Sequence, residues 1–123
     1  VHKAALRLVR PDGVLVDLTG WATDLGFRDP VACTQAVWAD YLVPPSSASD
    51  GHGQSERGRT HDLLWMLRVA IQTLREEPAN GRMPFDVQFV MDTDRTETVT
   101  LHAHRGPGDQ GEPVLTVMMP HED

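Results

Sequence analysis

The sequence is short of lysine, cysteine and long apolar runs, and each shortage excludes something. Lys3 is the only lysine. The 11 basic residues face 18 acidic ones, which leaves a formal net charge of -7. Affinity for nucleic acid comes largely from Lys and Arg neutralising phosphates and releasing counterions. With this balance and no grouped run of arginines, binding to DNA, RNA or an anionic membrane is not expected. Cys33 is the single cysteine, so no intramolecular disulfide can form, which suits a reducing cytoplasm. No apolar stretch approaches the roughly 18–20 residues of a membrane span, and no signal-peptide core is visible. A cytoplasmic protein without a membrane partner is therefore expected.

Catalytic sets are also lacking. Cys33 lies in an apolar context with no histidine near it in sequence, the ordinary setting of a small buried hydrophobe. Ser46, Ser47, Ser49 and Ser55 share a region with His52, His61 and Asp62, but the region reads as flexible, and nucleophilic catalysis needs fixed geometry. The carboxylate pairs Asp92/Asp94 and Glu76/Glu77 fall in a turn and at a helix end, where acids are normally solvated. The run from Gly106 to Pro113 is glycine-rich, but it lacks the lysine and Ser/Thr of a phosphate loop and precedes a strand. It reads as a hairpin connection whose acids, Asp109 and Glu112, are candidates for a protein contact. No catalytic residue and no cofactor is expected.

His102 and His104 are the one pair with a metal-like spacing. Two histidines at i and i+2 on a strand share a face, as zinc ligands often do. A third ligand is missing unless His121 or Asp123 folds back. The alternative is two polar residues on a solvated face in line with Thr98 and Thr100.

What is present is an ordinary globular composition, 40% hydrophobic and 24% charged in 123 residues, enough for a core in one domain over 1–123. Val1 to Arg10 is mildly helical and ends at the turn signal Pro11-Asp12-Gly13. Residues 14–18 read as a short strand. Thr19 can cap a brief helix through Leu25, closed by Gly26. Asp29-Pro30 is a helix start, with Thr34 as an alternative cap, and Val37, Trp38, Tyr41 and Leu42 form an apolar helical face. Residues 46–59, rich in Ser, Gly and Asp, predict a flexible loop.

The strongest helix is predicted from a cap at Thr60. Leu63, Leu67, Ala70, Ile71 and Leu74 form its buried stripe, Leu64, Met66 and Val69 widen it, and His61, Arg68, Gln72 and Arg75 face outward. Trp65 sits about 200° around from Leu63. It either packs under another helix or stands exposed beside Val69 as an interface anchor. Two alternating runs, 85–91 and 98–104, and a third, 114–119, that is more apolar on both faces, predict a meander of strands. The fold class is α+β: a three- to four-stranded, mostly antiparallel sheet with helices packed on one face and residues 14–18 added at an edge.

Four motifs occur together in order: Asp12-Gly13-Val14-Leu15-Val16-Asp17-Leu18, Gly26-Phe27-Arg28-Asp29-Pro30-Val31-Ala32, Asp62-Leu63-Leu64-Trp65-Met66-Leu67-Arg68, and Gly106 to Pro113 followed by Val114-Leu115-Thr116-Val117-Met118-Met119-Pro120. In these the chain resembles a family of small bacterial proteins classed as a domain of unknown function, often found on plasmids and phage-like elements. The resemblance implies a cytoplasmic accessory protein and assigns no activity, cofactor or functional residue. Cys33 stands where the family pattern has an aliphatic residue.

Three functional expectations follow from different classes. The first is a non-catalytic, acidic, protein-binding accessory module, an inhibitor or regulator linked to mobile elements, with Trp65, Val69, Asp109 and Glu112 as interface residues. The second is a metal-dependent hydrolase using His102 and His104. The third is a homodimeric structural protein joined through Trp65 or a free sheet edge.

Overall fold

A computed structural model describes residues 6–10, 13–44, 55–76, 78, 80–92, 95–107 and 111–122, with backbone alone for 6–10, 13, 14 and 92. Six strands make one mixed sheet: β1 (Leu6–Arg10), β2 (Gly13–Asp17), β3 (Val31–Thr34), β4 (Arg82–Asp92), β5 (Arg95–Pro107) and β6 (Pro113–Met118). Their spatial order is β1-β2-β3-β6-β5-β4. All neighbours are antiparallel except β3 and β6. The class is α+β as expected, but the sheet is larger than three or four strands and contains a parallel pair.

The two additional strands correct two expectations. Leu6–Arg10, read as mildly helical, pairs with β2 from Leu6↔Asp17 to Arg10↔Gly13. The turn signal between them joins two strands, and cross-strand pairing overrides a weak local propensity. Asp29-Pro30 does not start a helix either. Val31–Thr34 is a central strand, paired with β2 on one side and β6 on the other. The helix starts at the alternative cap, where Thr34 Oγ1 accepts the Val37 N–H. This helix, α2 (Gln35–Val37), runs on into a π-helical turn, Trp38–Leu42. Val37, Trp38 and Leu42 are buried, as the apolar face requires.

Between β2 and β3 lies α1 (Thr19–Asp24). The N–H of Thr19 is met by Asp17 Oδ1 at 2.9 Å, while the Thr19 hydroxyl turns to Val31 O instead of capping. Gly26 adopts φ +90°, the left-handed stop expected after this helix. A Cβ there would find only the Arg68 guanidinium at 3.8 Å, so the obstacle to a side chain is backbone strain and not space. Gly26→Ala is expected to cost about 1–2 kcal/mol in urea melts.

The long helix α3 (Glu56–Thr73) starts a turn earlier than the sequence suggests. Ser55 is its cap, its hydroxyl accepting the Gly58 N–H at 3.0 Å, and Thr60 is a fully buried residue of the second turn. Most of the expected loop 46–59 lies outside the described residues, and its end, from Ser55, belongs to this helix.

The core fills the space between the helices and one face of the sheet. Alternation decides that face. Val16, Val31, Cys33, Phe85, Val87, Phe89, Leu101 and Val117 point to it and are buried against Ala22, Leu42, Leu63, Leu64 and Leu67. The opposite face carries Asp86, Gln88, Thr98, Thr100, His102 and His104, none of them buried.

Candidate protein interface

Strand β4 ends the sheet, and α3 packs alongside it. Arg59, in the first turns of α3, fixes this arrangement. It is 1% exposed. Its guanidinium donates to Tyr41 O at 2.7 Å and to Val90 O, and lies 5.4 Å from the Phe89 ring centre. Tyr41 O is at the end of the π-helical turn, where carbonyls lack helical partners. Val90 O lies where the β4–β5 register shifts. One buried cation thus ties together the end of one helix, the start of another and the edge strand. Burial pushes its pKa below the usual value, and Asp62 offsets part of that.

Because α3 lies along the sheet's edge, the sheet covers only one flank of the helix. Leu63, Leu64 and Leu67 are fully buried. Met66 and Val69, expected to widen the buried stripe, are 39% and 37% exposed. Trp65 is 45% exposed, so no other described element packs over it. Its ring is nonetheless held. His61 stacks on it at 6.5 Å between centroids and an interplanar angle of 4°, and the Arg68 guanidinium lies 5.6 Å from its centre. Between Trp65, Met66 and Asp62 on α3 and Asp86, Val87, Gln88 and Thr98 on the sheet runs a groove of about 500 Å³.

The other candidate residues stand apart from this groove. Glu112 is exposed just before β6, beside the Pro107↔Pro113 pair. Eight residues of β5 separate Pro107 from Thr98, about 30 Å of strand, so Glu112 does not join Trp65. Asp109 lies outside the described residues.

His102 and His104 do share the outer sheet face, as their spacing implies. Their neighbours are not those of a metal site. Arg82 Nε donates to His102 Nδ1 at 3.2 Å, placing a cation against the imidazole. The same guanidinium donates to Glu122 O at 2.7 Å, while Glu122 Oε1 accepts from Thr34 Oγ1 and Met119 N. The C-terminal turn does fold back, but it brings a clasp around Arg82. His104 is packed so closely on Gly106 that a Cβ there would come within 2.9 Å of its ring. Among the described residues no group of three or more His, Cys, Asp or Glu is placed to hold a metal.

Cys33 is buried between β2 and β6, and burial, with the nearby Glu122 charge, pushes its thiol up to about 12. The thiol is thus neutral at physiological pH and a poor nucleophile. It is expected to resist alkylation in the folded protein at pH 8 and to react once urea unfolds the chain. Because the folded pKa is the higher one, the contribution of Cys33 to stability is full below about pH 9 and declines as pH rises toward 12.

Comparison with known proteins adds the family. A family model described as "Family of unknown function (DUF6573)" matches residues 12–123. The chain belongs to that family. The match spans the four ordered motifs and carries no assigned activity. No curated protein and no solved structure matches the DUF6573 chain. No helix among its described residues is long and apolar enough to cross a membrane.

Of the residues that line the groove, Met66, Asp86 and Gln88 are not singled out as site residues from the sequence, and neither is the buried Arg59 behind it. Asp86 and Gln88 carried a usable signal, since both fall at outward positions of an alternating strand with Pro84 inside it, and a proline within a strand points to a sheet edge.

Proposed function

We propose that the DUF6573 chain is a non-catalytic protein-binding module whose contact surface is the outer flank of α3 with the neighbouring edge of β4. The observation that carries this reading is Trp65, a large aromatic that is 45% exposed yet held by His61 and Arg68. Ordering a side chain on binding costs entropy, and a ring already held loses less. Tryptophan is also the residue type most enriched among binding hot spots. Met66 and Val69 extend the apolar patch, methionine supplying a surface that adapts to its partner. The resemblance to proteins of bacterial mobile elements supports a cytoplasmic regulator or inhibitor as the setting.

The test is a paired capture from a bacterial host of the family, using the wild type and Trp65→Ala/Met66→Ala as baits. The expected result is a partner recovered with the wild type and lost with the variant, while the two baits melt at similar temperatures. A partner retained equally by both would overturn the proposal.

A further inference from the structure

The backbone of β4 points to the manner of binding. Two contacts and a proline show which of its backbone groups face away from β5. The Arg82 N–H goes to Asn80 Oδ1 at 3.0 Å, and Val90 O accepts from Arg59. Pro84, between them, has no N–H to offer a partner strand. Conversely Gly81 O accepts the Arg105 N–H from the β5 side. The register between Arg82 and Val90 is regular. The even-numbered residues therefore turn their N–H and C=O groups outward, and at Asp86 and Gln88 these groups face the groove beneath Trp65 and Met66. No strand among the described residues lies on that side of β4.

We propose that this groove takes an extended segment of a partner protein, with lysine or arginine flanking an aromatic or aliphatic residue, which adds to β4 as a further strand. The inference rests on the protein-binding reading above and names its ligand. A strand added here inherits the alternation of the sheet. A residue opposite Val87 faces the helix side, toward Met66 and Trp65, and calls for an apolar side chain. Residues opposite Asp86 and Gln88 face the outer side, where the Asp86 carboxylate calls for a cation. Asp62 adds a second carboxylate to the groove's lining, and the chain's net charge of -7 draws a basic segment toward it. A second copy of this chain fits less well, because pairing β4 with itself sets Asp86 against Asp86 or Gln88 and brings two acidic molecules together.

The experiment is selection of a displayed random-peptide library on the full chain, followed by titration of the best synthetic peptide. Selected peptides are expected to alternate basic and apolar residues and to bind more weakly as salt rises. Hydrogen exchange should show the Asp86 and Gln88 amides protected in the complex. Gln88→Pro removes an outward N–H without touching the ladder to β5, as Pro84 already does, and should weaken binding about tenfold. Asp86→Asn, which keeps the acceptor for Thr100 Oγ1, should weaken it about threefold. If Gln88→Pro fails to fold, peptides N-methylated at alternate positions make the same test from the ligand's side.

Acidic selected peptides, no selected peptides, or a helical peptide that protects α3 but not residues 86 and 88 would each overturn the inference. So would concentration-dependent dimers abolished by Gln88→Pro. A partner lost with Trp65→Ala but kept with Gln88→Pro sinks strand addition alone, whereas one indifferent to Trp65→Ala sinks the protein-binding reading itself.

Discussion

Arg59→Ala is expected to cost about 3–5 kcal/mol of folding stability, the range for breaking a buried charged network. The substitution leaves Tyr41 O and Val90 O without their donor in a part-buried setting. Each buried carbonyl without a partner costs about 1–3 kcal/mol, and the volume of the side chain is lost over Phe89 as well. Arg59→Met separates these effects. It keeps most of the packing but still strands both carbonyls, so about 2–3 kcal/mol should remain. Lysine offers a single point donor in place of a fork and should not restore both contacts. Denaturant melts of the three variants check this. A loss below about 1 kcal/mol for Arg59→Ala would mean that the cation does not join α3 to the edge strand.

The second large effect is on the same helix. Leu67→Ala is expected to cost about 2–5 kcal/mol, the range for truncating a fully buried leucine. Leu67 has no exposed surface and belongs to the main core. Val69→Ala, two residues on and on the open flank, should change stability by no more than about 0.5 kcal/mol. The contrast matters more than either value. It fixes which flank of α3 faces the sheet, and therefore which flank is free to meet a partner. Equal losses at the two positions would place Val69 inside and remove the interface.

Elements with strong local periodicity were legible in the sequence. Alternation marked β4 and β5, a short apolar run marked β6, and the helical spacing of Leu63 and Leu67 marked the buried side of α3. Elements defined by distant partners were not. Val31–Thr34 is four residues long and follows Asp-Pro, a good helix start. It is a strand because β2 and β6 flank it, and β6 lies some 80 residues away. Leu6–Arg10 needs β2 in the same way. The buried Arg59 was hidden by its neighbours, since a charged residue near Ser and Gly gives no sign that two carbonyls await it. Met66 and Val69 were assigned inward because periodicity gives a helix an apolar side but not how far the covering sheet extends. With β4 at the edge, the cover stops short, and those side chains remain outside with Trp65.

Oxidative footprinting of the full chain, alone and with its captured partner, tests the central claim most directly. In the free protein Trp65 and Met66, 45% and 39% exposed, should oxidise readily, and Trp38, 7% exposed, should not. In the complex Trp65 and Met66 should be protected together, with Trp38 unchanged. Protection confined to His102, His104 and their neighbours on the outer sheet face, with Trp65 and Met66 still oxidising at the free rate, would contradict the account.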